Sequence, residues 1–339
     1  MNWKEKSRGG KLNLNINAHI GCLGKFSERY VPDGYFSEIN FDKQLEIMSK
    51  IDGLTGLAVW YPGHPLIDKP DRLAKKLADY NLRVADIGPD IWSDKKWKYG
   101  TLSSHDDKIR KEAIKITKYT MDLAVELNAY SVLVWPAHDG FDYVFQADFK
   151  RGWDNLIDSL NEIGSYNKNV KIAIEYKQKD PRAKSYIEDM GKVMLLIKSL
   201  DVDNIGSALD LGHSFFANER PAESLALLDK YKKLYQIHLN DNYRDADPDL
   251  LFGTINFWDT LELFYWLSKT NYDGWLNIDT VTGRDDRGKM LELAVKLIKD
   301  YERLAGKLNK YSDIIDENLK NHNFVDNMKL IRELVFVEK

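Results

Sequence analysis

Eight short apolar segments alternate along this chain with longer segments whose apolar residues recur at helical spacing, and that alternation limits the folds open to it. The strand-like segments are residues 12–21, 53–63, 81–91, 129–140, 170–178, 204–213, 234–241 and 274–280. Several are nearly continuous apolar runs, as strands buried on both faces require. Among the helical segments, Ile109 to Leu127 carries Ala113, Ile116 and Leu123 on the face of Ile109, and 187–200, 258–267 and 289–304 behave likewise. The pattern predicts an α/β fold: a single closed parallel (β/α)8 barrel over residues 1–304 with a C-terminal helical extension over 305–339. A doubly wound open sheet would carry a glycine-rich first turn, whereas the early pair Gly9-Gly10 precedes the first strand.

Composition removes several classes of function. Lys and Arg number 49 against 53 Asp and Glu, a net charge of −4 that lacks the basic excess a nucleic-acid partner needs. The single cysteine, Cys22, allows no internal disulfide and suits a reducing compartment. The stretch MNWKEKSRGGKLNL lacks the apolar run of a signal peptide. No segment approaches the roughly 18 consecutive apolar residues of a membrane helix. The expectation is a cytoplasmic protein with no membrane and no nucleic-acid partner.

In such a barrel, functional side chains lie where strands end, on one rim. The fifth segment ends in Glu175-Tyr176-Lys177 and the sixth in Asp210-Leu211-Gly212-His213. The seventh carries His238, Asn240 and Asp241, the loop after it adds Arg244, Asp247 and Asp249, and the eighth ends in Asp279. A lone strand-end carboxylate is more often a helix cap or an ion-pair partner. Four consecutive strands that deliver Glu, Asp, His and Asp to one rim point to a divalent ion, because such carboxylates are costly to bury unpaired. An ion-pair network would need matching cations at the rim, and Lys177 is the clear one. Mixed oxygen and imidazole donors predict Mn2+ first, with Mg2+ or Co2+ as alternatives, and the absence of cysteine ligands argues against structural zinc.

Over about residues 12–300 these features resemble the xylose-isomerase-like superfamily of TIM barrels. Glu175-Tyr176-Lys177 is similar to the ExK pattern of the aldose–ketose isomerases and Asp247-Pro248-Asp249 to their DxD pattern; the set as a whole resembles the L-rhamnose isomerases most. The resemblance implies a first metal on Glu175, Asp210, His238 and Asp279, and a second on His213, Asp247 and Asp249 with Asp210 bridging. It gives Lys177 the sugar oxygen on the reacting carbon and makes Trp135 an apolar wall, with Trp60 beside it. The ring-opening histidine has no clear counterpart, and His64, His19 and His138 all fall near the rim. The implied activity is a 1,2-hydrogen shift on a free monosaccharide by a homodimer or homotetramer, with Asp249 in the catalytic group.

A one-metal ketose 3-epimerase of the same superfamily is the alternative. Those barrels share the strand-six DxxH and an Arg six residues after the strand-seven His, here Arg244, and they exchange protons between two opposed glutamates. Here Asp279 stands where the second glutamate would be. Related dehydratases and lyases share the same metal chemistry. An abasic-site endonuclease would need a DxH after strand seven, where this chain has Asp249, and a non-catalytic sugar-binding or scaffold protein would have lost its ligands.

Overall fold

The computed structural model describes residues 14–281 and 283–337. Gly9-Gly10, the start of the first strand-like segment and the last two residues of the extension lie outside the described residues. All eight apolar segments form strands: β1 (Asn15–His19), β2 (Leu54–Tyr61), β3 (Arg83–Pro89), β4 (Ser131–Val134), β5 (Ile172–Glu175), β6 (Ile205–Asp210), β7 (Leu234–Leu239) and β8 (Trp275–Ile278). They pair in parallel in chain order, and β8 returns to β1 to close the barrel. A two-residue antiparallel pair, Gly140–Phe141 with Lys184–Ser185, ties the loops after β4 and β5 together.

Successive side chains in a strand point to opposite faces. Ile16, Ala18, Ile87, Ile237, Leu239, Leu276 and Ile278 are buried in the apolar core that the helices cover. The alternate positions Asn17 and His19, Gln236 and His238, and Asn277 and Asp279 share the other face, so the barrel interior is polar toward its mouth. Cross-strand register sets Asp210 level with His238 and Asn17 level with Asn277.

Among the described residues, eleven α-helices alternate with and follow the strands: α1 (Phe41–Ser49), α2 (Pro70–Ala78), α3 (Asp107–Glu126), α4 (Phe149–Tyr166), α5 (Met190–Lys198), α6 (Leu211–Phe216), α7 (Pro221–Lys230), α8 (Phe257–Leu267), α9 (Arg287–Asn309), α10 (Ser312–Lys320) and α11 (Phe324–Phe336). None is long and apolar enough to cross a membrane among the described residues. Asp106, Asp148, Asp189 and Asp286 cap α3, α4, α5 and α9 with side-chain carboxylates. The Asp189 cap explains why the segment expected from 187 begins at Met190. The expected α3 face is largely buried, with Ala113, Leu123 and Leu127 in the core and Ile109 and Ile116 half-buried against it, and the buried face extends to Ile114, Thr117, Met121 and Ala124. α9 runs unbroken past residue 304, and α11 packs against α9 and α10.

Candidate metal centre

Glu175 and Asp210 end β5 and β6, His238 is next to last in β7 and Asp279 follows β8, and one ligand atom from each lies within 4.8 Å of all the others. His238 Nδ1 is 3.1 Å from Glu175 Oε1, 3.6 Å from Asp279 Oδ2 and 3.9 Å from Asp210 Oδ2. Asp210 also caps α6, its Oδ1 accepting the backbone N–H of His213 at 2.8 Å. The DxxH spacing is therefore the geometry of a capping residue and the third residue of its helix. Asn240 Nδ2 donates to Asp210 Oδ2, and Asp279 Oδ1 meets His19 Nε2 at 2.9 Å.

The electrostatics of this cluster call for a cation. Burial pushes the Asp210 carboxyl up to about 7 against the pull of His213. Burial, then Asp247 and Asp279, push Asp249 well above the usual carboxylate range. Burial would lower both His213 and His238, but neighbouring carboxylates outweigh it, holding His213 up at about 10 and His238 well above the ordinary imidazole value. Asp279 is the reverse: hydrogen bonds from His19 and His238 overcome burial and hold it well down. Three carboxylates and an imidazole aimed at one point have the donor chemistry of a divalent ion site, and the buried His213 Nδ1 beside them has no hydrogen-bond partner.

The second implied set is arranged differently. His213 Nε2 lies 3.2 Å and Lys177 Nζ 2.9 Å from the same oxygen, Asp247 Oδ2. Lys177 also reaches Asp180 at 3.0 Å and lies 5.4 Å from the Trp135 ring centre. His213, Asp247 and Asp249 do not converge as a second group of three ligands among the described residues. The ammonium of Lys177 fills part of the charge demand there.

A cavity of about 220 Å³ opens beside the cluster, lined by Glu175, His238, Asp279, His19, Asp86 and Asn277, with Trp60, Trp92 and Trp135 as apolar walls. Trp92 and Trp135 stand 5.8 Å apart, centre to centre. His64 is buried edge-on against Trp60 and Phe41, and burial drops it to about 4. It is not part of the cavity lining. His138 bonds the Trp92 carbonyl. Arg244 bonds the Glu219 carbonyl and Asn256 and stacks on Phe215, with none of the four converging ligands among its partners.

The sequence alone does not single out Asp86 or Gln236, and it marks His19 only as one of three histidines near the rim. His19 ties down Asp279. Asp86 is held by Asn17 Nδ2 at 2.9 Å, and burial pushes it up to about 6. Gln236 bonds His238 from beneath. Their signal was a polar residue inside an apolar run, two positions before a rim residue for Gln236 and at the strand end for His19.

Residues 40–301 match the family described as xylose isomerase-like TIM barrel, and the chain belongs to that family. The chain is 28% identical over 209 residues to a xylose isomerase of Thermus thermophilus, a match covering 60% of this chain and 54% of the relative, so it spans about half the length of that protein. Among solved structures it is similar to an L-ribulose 3-epimerase, with a TM-score of 0.68 at 16% identity, covering 89% of this chain and 98% of that one. The IOLI protein solved with a zinc atom gives a TM-score of 0.63 at 16% identity over 85% and 98%. These structural likenesses speak to the fold.

Proposed function

We propose that the protein is a divalent-metal-dependent aldose–ketose isomerase that moves hydrogen between C1 and C2 of a free monosaccharide. The observation that carries the reading is the commitment of Asp279 Oδ1 to His19 Nε2. A 3-epimerase needs two carboxylates free to exchange protons on opposite faces of one carbon. Here one of the two candidates is tied down by a histidine, while Lys177 stands beside Trp135 and Asp247, where the resemblance to aldose–ketose isomerases would have it.

When bound, a divalent ion supplies Lewis-acid polarisation of the sugar carbonyl. Glu175, Asp210, His238 and Asp279 would hold it, in the order Mn2+, then Mg2+ or Co2+. Lys177, already beside Trp135 and Asp247, donates to the oxygen on the reacting carbon and stabilises the negative charge that gathers there. Asp249, whose carboxyl burial and then Asp247 and Asp279 push well above the usual carboxylate range, would exchange a proton with a sugar hydroxyl. Trp60, Trp92 and Trp135 exclude bulk water and offer flat faces to the sugar's C–H surface.

The 3-epimerase is the second reading, favoured by the one convergent ligand group found among the described residues. Against it, Arg244 is bonded away from the cluster. A homodimer or homotetramer in the cytoplasm completes the proposal, with light scattering as the test of assembly. The decisive experiment is to strip the protein with chelator, restore Mn2+ and follow a panel of free aldoses and ketoses by NMR. Metal-dependent aldose-to-ketose conversion supports the isomerase; exchange confined to C3 of ketoses replaces it with the epimerase.

A further inference from the structure

We propose that Gln236 is a positioning residue that presents His238 to the divalent ion through Nδ1. Gln236 and His238 lie two residues apart on β7, so both point into the barrel. Gln236 Oε1 is 2.9 Å from His238 Nε2, and its own Nε2 donates to Ser131 Oγ at 2.8 Å. Ser131 sits on β4, three strands away around the ring, so the amide spans the barrel interior. All three side chains are buried.

A neutral imidazole carries one N–H and one lone pair, and the partner of one nitrogen decides which the other presents. With the amide NH2 engaged by Ser131, the Gln236 carbonyl faces His238 and accepts its Nε2–H. The lone pair is then on Nδ1, the atom that faces Glu175, Asp279 and Asp210. A carboxylate at position 236 would do the same but would add a buried negative charge beneath three others. The amide accepts the hydrogen bond without that charge.

The inference rests on the metal-binding part of the proposed function and not on the sugar reaction. Its test is Mn2+ affinity without sugar in the wild type, Gln236→Leu and Gln236→Glu, with folding checked by circular dichroism. Leu should weaken Mn2+ binding by about 10–100-fold, the usual effect of losing such a partner. Glu, which keeps the acceptor, should bind at least as tightly as the wild type. A folded Gln236→Leu with wild-type affinity overturns the proposal, and so does Glu failing as badly as Leu, since that marks a packing role. Nitrogen NMR of 15N-histidine wild type loaded with Zn2+ decides independently should the Leu variant not fold: Nε2 protonated and Nδ1 bound supports the assignment, and Nε2 bound overturns it. A wild type that binds neither ion overturns the metal site and this inference together. A missing sugar substrate bears on the isomerase reading alone.

Discussion

His19 joins the first strand of the barrel to Asp279, the last residue of the candidate metal cluster, its Nε2 lying 2.9 Å from Asp279 Oδ1. The contact depends on Gly21, where any Cβ would collide with the His19 ring. His19→Ala should therefore leave the barrel folded but free the Asp279 carboxylate to rotate. The expected outcome is Mn2+ affinity lower by about 10-fold, measured by calorimetry, as for other lost partners of metal ligands. Unchanged affinity would mean that Asp279 is oriented by the strand alone.

Lys177 is nine-tenths buried, and its Asp247 partner is almost wholly so. Lys177→Met removes the nearer of the two cations on that carboxylate, and breaking such a pair costs about 3–5 kcal/mol. Urea unfolding should report the stability loss. Turnover should fall by about 100-fold, the scale of losing one preorganised donor, while sugar binding persists. Retained turnover removes Lys177 from the chemistry.

Gly212 lies between Asp210 and His213, and a Cβ there would run into the Asn240 side chain and come within 2.9 Å of Asp247 Oδ1. Gly212→Ala should destabilise the fold by about 2 kcal/mol, typical of overpacking. It should also disturb the Asn240–Asp210 and His213–Asp247 contacts together. Thermal unfolding with and without Mn2+ checks both, the metal-induced rise in Tm being smaller than in the wild type.

The metal-free protein should lose stability as pH rises from about 6.5 to 9.5. His213 is held up at about 10 in the fold because Asp210 and Asp247 outweigh burial. A histidine raised above its unfolded value of about 6.5 contributes stability that is full below that value and lost as pH climbs through the folded one. Scanning calorimetry in chelator should show Tm falling by about 3 °C or more across that window. His213→Gln should reduce the slope, with His238, also held above the ordinary imidazole value, carrying what remains. A flat wild-type profile would mean that His213 is neutral in the fold.

Much of the architecture was legible in the residues. Apolar runs of strand length between helical periods located all eight strands to within a few residues. Glu175, Asp210, His238 and Asp279 stood out because each is a polar residue at or near the end of such a run. The helix edges were harder: Asp189 begins α5 by capping it, an event of side-chain geometry that apolar spacing does not register.

Local sequence thus determined the number and order of strands and which polar residues reach the rim, because alternation within a strand depends on near neighbours alone. Tertiary structure decided which of those residues meet. His19 and Asp279 are 260 positions apart, Ser131 and Gln236 are 105, and Asn17 and Asp86 are 69. Only barrel closure, with its fixed register around the ring, brings such pairs into contact. It likewise gave Lys177 to Asp247 and turned Arg244 toward Glu219 and Asn256, choices that depend on loop paths no periodicity encodes.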